Sequence, residues 1–241
     1  MLSRVVAGLI LALLLICAAL YPGKATTEPD DFIIHKSMSG YKMKIPSHLI
    51  LATMQYAEGS NEQELTDFDF VLELPNLDEI LTPDQRARLS KPPTPTEGHS
   101  FFEEWLTGTI STSLPPQYDG NYPLNRFNFW LNDVLKDGPY NKVSDKFGLN
   151  HWVIDGKKYK SPNALPSSIS EFYYNYDQNT LITCRNSTTV IEPIYTFSTC
   201  DQFFNINKYN ATIKITYSRK WIDRWKQMQA TIVKKFEDLS L

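Results

Sequence analysis

The hydrophobic period changes near the end of the chain, and that change limits the folds open to it. Trp221, Trp225, Met228, Ile232, Phe236 and Leu239 recur at spacings of four, three, four, four and three. This is one stripe of an amphipathic α-helix of about five turns, with Ser218 in front of it as the expected N-cap. Upstream the period is two. Residues 171–177, 180–184, 195–200 and 211–217 are strand-like runs separated by turn residues such as Asp177-Gln178-Asn179, the pattern of consecutive antiparallel strands. The helical stripe needs cover, and one face of that sheet supplies it most simply. The expectation is an α+β fold: mainly an antiparallel sheet with a C-terminal amphipathic helix packed on it.

The first half is read in the same way. Residues 41–46 alternate apolar and basic side chains up to Pro46, the pattern of a half-buried strand. In residues 66–74, Phe68, Phe70, Leu72 and Leu74 share one face while Asp67, Asp69 and Glu73 share the other, with Val71 expected as an exposed β-former. Pro75-Asn76-Leu77 closes that strand, and Thr82-Pro83 opens a short helix through Leu89. Residues 91–98 hold three prolines and read as an exposed loop, and residues 115–123 as a second. Between these loops, residues 101–113 fit a strand or an irregular amphipathic segment equally well. Residues 125–135 are rich in aromatic and aliphatic side chains and end at Gly138-Pro139. Further on, Gly148-Leu149 leads into His151-Trp152-Val153-Ile154, and Asp155-Gly156 before residues 157–159 is a hairpin signal.

Residues 5–20 are almost purely Ala, Leu, Ile, Val and Gly, follow a lone Arg4 and end at Tyr21-Pro22-Gly23. This is an export segment. Residues 1–25 are read as a signal peptide or an uncleaved N-terminal membrane anchor, with residues 5–21 available to the inner membrane. Ile16 in front of Cys17 speaks against a lipid anchor there. Residues 26–31 form a tether, and residues 32–241 a single α+β domain or two subdomains dividing near 124–147. Removing residues 1–25 takes away Arg4 and Lys24 and no acid, so the net charge goes from −3 to −5. With no basic stripe beyond the dispersed Lys157, Lys158 and Lys160, nucleic-acid binding is disfavoured. Cys184 and Cys200 remain, and two thiols in an oxidising compartment are expected to pair; two separately buried thiols are the alternative.

Candidate chemistry is sparse. Gly98-His99-Ser100-Phe101-Phe102 begins like a nucleophile elbow but carries Phe102 where a small residue is needed. His35, His48, His99 and His151 lack a second ligand at metal spacing. Asp67-Phe68-Asp69 places both acids opposite the phenylalanine face, toward solvent. Trp221 and Trp225 belong to the helical stripe and read as core more readily than as a sugar platform. Asn186-Ser187-Thr188 and Asn210-Ala211-Thr212 match a glycosylation pattern that matters only in a secreted eukaryotic protein. No catalytic residue, metal ligand or cofactor site is assigned.

The second half does resemble a known family. Cys184, then residues 199–204 (Thr-Cys-Asp-Gln-Phe-Phe), then residues 211–219 ending in Tyr217-Ser218-Arg219, then Trp221-Ile222-Asp223-Arg224-Trp225 are similar, in that order, to periplasmic immunity proteins encoded beside bacterial type VI secretion lipase effectors. Residues 41–46, residues 68–77 and Gly148-Leu149 add softer matches. The resemblance implies a non-enzymatic, stoichiometric inhibitor in the periplasm, soluble after cleavage or tethered to the inner membrane, whose partner is a secreted toxin, a phospholipase. Two other classes stay open: an exported enzyme with a site assembled from dispersed residues, and a membrane-anchored sensory or adhesive ectodomain. For an inhibitor, the contact residues are expected on or beside the proline-rich loops and the hairpin tip: Phe101, Phe102, Trp105, Tyr118, Tyr122 and Asp155.

Overall fold

The computed structural model describes residues 33–61, 64–79, 82–90, 101–112, 121–130, 140–155, 169–188 and 196–241. Eleven strands form one mixed sheet: β1 Ile33–Met38, β2 Tyr41–Pro46, β3 Ile50–Tyr56, β4 Glu64–Glu73, β5 Trp105–Ser111, β6 Tyr140–Lys146, β7 Leu149–Ile154, β8 Ile169–Asn175, β9 Thr180–Thr188, β10 Thr196–Ile206 and β11 Ala211–Ser218. Their spatial order is β2-β1-β4-β5-β11-β10-β9-β8-β7-β6, with β3 also paired to β4. One pairing is parallel, where Ser37 and Met38 of β1 meet Glu64 and Leu65 of β4; the other described pairings are antiparallel. Ile33–Leu241 groups as one compact unit, and strands on both sides of residues 124–147 share this sheet. Four helices are described: α1 Pro83–Ser90, α2 Phe101–Glu104, α3 Tyr122–Trp130 and α4 Trp225–Asp238. Among the described residues no helix is long and apolar enough to cross a membrane; residues 1–31, with the export segment and tether, lie outside them.

Both faces of the sheet are covered, which period-two reasoning did not foresee. On one face Phe68, Phe70 and Leu72 of β4 join Leu106 and Ile110 of β5, Ile213, Ile215 and Tyr217 of β11, and Trp225, Met228, Ile232 and Phe236 of α4. The rings of Phe68 and Phe70 lie 5.6 and 4.9 Å from that of Phe236. On the opposite face α3 packs Phe127 and Trp130 against Tyr140, Trp152, Phe172, Tyr174 and Leu181. Phe172, Tyr173 and Tyr174 are consecutive and all buried because neighbours in a strand point to opposite layers. A small third cluster corrects the reading of Val71: it is buried beside Trp105, with Leu89 of α1 packed against the pair. Thr82 does cap α1, accepting from the Gln85 amide at 3.2 Å while the Gln85 side chain returns to the Thr82 amide at 2.9 Å.

The C-terminal helix differs at its start. A 3-10 turn over Arg219–Arg224 precedes α4, and Ser218 makes no side-chain cap bond. In a 3-10 turn residues three apart align, so Ile222 and Trp225 are buried while Trp221 is only half-buried and donates its indole N–H to the Glu103 carbonyl at 3.0 Å. Through α4, Trp225, Met228, Gln229, Ile232 and Phe236 are buried, and Lys226, Gln227, Ala230, Lys234 and Glu237 are exposed. Buried polar groups stitch the helix to the sheet. Tyr217 donates to Gln202 Oε1 at 2.9 Å, Gln202 Nε2 donates to Gln229 Oε1 at 3.0 Å, and Thr180 donates to the same Gln229 oxygen at 2.8 Å. Cys184 and Cys200 form a disulfide; they sit directly opposite each other on β9 and β10, both fully buried, with Cα atoms 4.1 Å apart.

Residues 101–111 resolve into the short helix α2 followed by strand β5. The hairpin expected at Asp155-Gly156 falls on Gly156 and residues 157–159, which lie outside the described residues. A tight turn is described one strand earlier, at Phe147-Gly148 between β6 and β7, and β7 pairs with β6 on one edge and β8 on the other.

Two stability measurements test this packing. Gly108 pairs with Phe70, and a methyl group there would overlap the Phe70 ring, with Cε2 only 2.8 Å away. Because that ring is wedged against Phe236, Gly108→Ala should destabilise by about 1–3 kcal/mol in urea unfolding. Replacing Cys184 and Cys200 together by Ser should lower stability by about 2–5 kcal/mol. Thiol labelling of the denatured, unreduced protein should modify neither cysteine.

Candidate functional site

The turn between β6 and β7 is built on an unusual residue. Phe147 and Gly148 both have positive φ, 57° and 74°, as a two-residue type I′ turn requires. Asn-Gly is the preferred pair at such a turn, whereas a phenylalanine in the left-handed region is an outlier. Neighbours hold it there. The Trp225 indole N–H donates to the Phe147 carbonyl at 2.9 Å, and Asn175 Nδ2 donates to the Gly148 carbonyl at 2.8 Å. Carbonyl anchoring fixes the backbone while the Phe147 ring stays 37% exposed.

Beside this turn lies an open cleft of about 250 Å³ lined by Lys146, Phe147, Arg219, Lys220, Ile222 and Asp223. Its walls are the hairpin tip and the 3-10 turn after β11, so residues more than 70 positions apart meet there. Lys146 sits over the Phe147 ring, 5.0 Å from its centroid. Lys220 is paired with Glu103 at 2.8 Å and lies over the Trp221 ring at 5.2 Å. Arg219 joins the cleft to a polar cluster below it. Glu171 of β8 accepts hydrogen bonds from Arg219 and from the Tyr173 hydroxyl, and pairs with His151 Nε2 at 3.2 Å. The His151 and Tyr173 rings stack with centroids 4.2 Å apart.

The electrostatics of the cluster follow from burial and mutual bonding. Burial would raise the Glu171 carboxyl, but the hydrogen bonds from Tyr173 and Arg219 and the Arg219 charge outweigh it and hold the group below its ordinary value of 4.5. Burial pushes His151 below its ordinary 6.5, with Lys146 and Arg219 adding to the effect and Glu171 only partly offsetting it. Tyr173 is pushed up to about 12, by burial first and then by its bond to Glu171. A neutral imidazole, an ionised carboxylate and a guanidinium thus satisfy one another. The cluster locks β7, β8 and the segment after β11 in place, and the cleft beside it presents Lys146, Asp223 and the Phe147 ring, with Arg219 and Lys220 already paired to Glu171 and Glu103. Such an arrangement suits binding. Among the described residues no group of three His, Cys, Asp or Glu side chains could hold a metal ion.

The residues singled out from the sequence do not converge on this cleft. Trp105 is 2% exposed, walled in by Val71 and capped by Arg88 5.4 Å from its ring centroid; it is a core residue, because the α1 side of the sheet is covered. Tyr122 is half-buried in the first turn of α3, 5.5 Å from the Phe203 ring, and not on a loop. Asp155 is half-buried and accepts from Asn141 Nδ2 at 3.0 Å. Tyr118, the side chains of Phe101 and Phe102, and the loop at 91–98 lie outside the described residues. Asp69 accepts from Thr109 at 2.6 Å, a cross-strand pair on the half-buried face. The cleft residues Lys146, Phe147, Arg219, Lys220 and Asp223 were not singled out. The one local signal was a bulky residue before Gly148 between two β-rich runs.

No protein-family model matches the chain, and no curated protein matches it. Two solved structures are similar in fold. An immunity protein of the Stenotrophomonas maltophilia type IV secretion system, Smlt3025, superposes with a TM-score of 0.55 over 88% of this chain and 94% of its own, at 15% identity. The Neisseria meningitidis iron-regulated outer membrane lipoprotein FrpD gives a TM-score of 0.47 over 85% of this chain and 92% of its own, at 13% identity. The fold is therefore shared, nearly end to end, with an immunity protein of a secretion system. That system is type IV, whereas the sequence resemblance implies type VI.

The buried cluster makes stability depend on pH in one direction. A histidine whose folded value is depressed favours the unfolded state as pH falls below 6.5, since only the unfolded chain takes up the proton there. Glu171 adds the same sign below 4.5. Urea unfolding should show stability falling between about pH 7.5 and 5.5, and His151→Gln should flatten that interval while leaving the loss at lower pH.

Proposed function

We propose that this protein is a periplasmic immunity protein that binds a secreted antibacterial toxin and neutralises it one-to-one. The observation that carries the reading is the fold it shares, over almost the whole of both chains, with an immunity protein of a bacterial secretion system. The order of Cys184, residues 199–204, residues 211–219 and Trp221 to Trp225 supports it independently, since these segments resemble immunity proteins paired with lipase effectors. A phospholipase is accordingly the toxin class we propose, delivered by a type VI system as the resemblance implies. The apolar run at residues 5–20, read as an export segment, supports a periplasmic location, soluble after cleavage or tethered if the segment is retained. The bonded cluster around Glu171 supports a role in holding shape over one in turnover.

The test is to seek a lipase-like reading frame beside the gene and to produce its product in the periplasm together with this protein. Cells should survive only when both are exported. In vitro, lipase activity should fall linearly to zero at one equivalent of inhibitor, and native mass spectrometry should show a one-to-one complex. Inhibition at substoichiometric amounts, with chemical change in the toxin or its lipid, would instead assign an enzyme.

A further inference from the structure

On the side of the sheet that α3 covers, Arg126 is held by aromatic rings. Its guanidinium carbon lies 5.6 Å from the Tyr122 ring centroid, 5.8 Å from that of Trp130 and 5.9 Å from that of Phe203 on β10. The side chain is half-buried, and among the described residues it makes no hydrogen bond or ion pair. The other arginines whose side chains are described are each bonded: Arg88 to Glu73 and Glu104, Arg185 to Asp201, Arg219 to Glu171 and Arg224 to Gln227. A ring face attracts the cation without using any of its five N–H donors. Arg126 is therefore a positioned guanidinium whose donor fork is uncommitted.

The acids around it are engaged elsewhere or stand away from it. α3 carries none. Asp201, two residues from Phe203 on the same face of β10, is buried and already holds Arg185, the Thr216 hydroxyl and, at 3.6 Å, Lys214. Asp69 shares a row with Phe203 three strands away and accepts from Thr109. Asp155 accepts from Asn141, and Asp177 is exposed in the turn between β8 and β9. None of these carboxylates meets Arg126, so its counter-charge has to come from outside the chain. A carboxylate fits the planar fork with two parallel bonds. Its single charge matches this single cation, whereas a phosphomonoester carries close to two and is suited to a cluster of arginines. Packing against three rings also lowers the side-chain entropy lost on binding, and arginine beside tyrosine and tryptophan is the composition of an interface centre.

We infer that Arg126 receives a side-chain carboxylate of the toxin, beside Tyr122 and Phe203. The inference rests on the immunity reading and adds a contact residue and the chemistry of the partner group. Tyr122, singled out from the sequence as a contact residue, flanks the guanidinium.

Calorimetric titration of the full chain against the purified product of the lipase-like reading frame beside the gene, inactivated at its catalytic serine, tests it with three variants. Arg126→Met keeps an apolar stem against the rings and should leave the melting temperature nearly unchanged, yet weaken binding about tenfold or more and reduce its salt dependence. Arg126→Lys keeps the charge without the fork and should weaken binding by a smaller factor. Lys226→Met, on the exposed side of α4, should bind as the unsubstituted chain does. Affinity unchanged in Arg126→Met and Arg126→Lys, whether or not their melting temperatures fall, would assign Arg126 to packing and overturn the contact while leaving the immunity reading standing. Competition by inorganic phosphate, or binding of the free chain to anionic phospholipid vesicles that Arg126→Met abolishes, would assign the guanidinium to a phosphate group and overturn the carboxylate. A dimer of the free chain that Arg126→Met breaks would assign it to a second copy and likewise overturn the contact. Absence of such a reading frame, or of binding by the unsubstituted chain, would overturn the phospholipase immunity reading and the contact with it.

Discussion

The arrangement of the molecule depends on how α4 is seated on the sheet. Its apolar side chains interlock with Phe68, Phe70 and the β11 residues, which alone would be non-directional burial. Direction comes from the buried chain of Tyr217, Gln202, Gln229 and Thr180. Buried amides must be bonded, and these side chains bond with one another, so a shifted or rotated helix would leave several groups unsatisfied at about 1–3 kcal/mol each. One helix thereby aligns strands from both halves of the sheet. Its first residue, Trp225, reaches out of this core to hold the Phe147 carbonyl, so the seating of α4 also sets the geometry of the cleft.

A sheet of this width would expose a large apolar surface if only one side were covered. The helices α1 and α3 close the opposite side in two separate patches, over Trp105 and over Phe127. Trp105 thus belongs to the core, and Tyr122 is engaged with Phe203. Between those patches the same face carries the polar, partly exposed Asp69, Thr109, Lys214 and Arg185. Of the described sheet edges, one is covered by residues 239–241, and the other ends in the left-handed turn at Phe147-Gly148. The likeness to Smlt3025 is a likeness of scaffold, at 15% identity.

Local sequence was a good guide where a segment's period was uninterrupted. The strands at residues 41–46 and 211–217, the cap at Thr82 and the burial of Trp225, Met228, Ile232 and Phe236 follow from alternation, turn chemistry and the helical stripe, and the structure contains them. Pairing of Cys184 with Cys200 was expected once residues 5–20 were read as an export segment, and the disulfide is present. Less of the candidate site was legible. β6 is polar on both faces, Asn-Lys-Val-Ser-Asp-Lys after Tyr140, and so carries no apolar alternation to reveal a strand. The turn at Phe147 lacks the Asn-Gly signature that would have revealed it.

What the sequence by itself determined is the set of parts: strands with an apolar face, a final helix that must be covered and two cysteines able to pair. Those properties are local, since period, capping and turn preference depend on residues within a few positions of one another. Only the tertiary structure decided that both faces of the sheet carry packed helices, that Trp105 lies inside, and that the β2 edge is lined by residues 239–241 while β6 pairs with β7 alone among the described strands. It also decided that Lys146 and Phe147 meet Arg219, Lys220 and Asp223. Such outcomes depend on which strands become neighbours, and strand order is set by packing across the whole core, which no short window of sequence records.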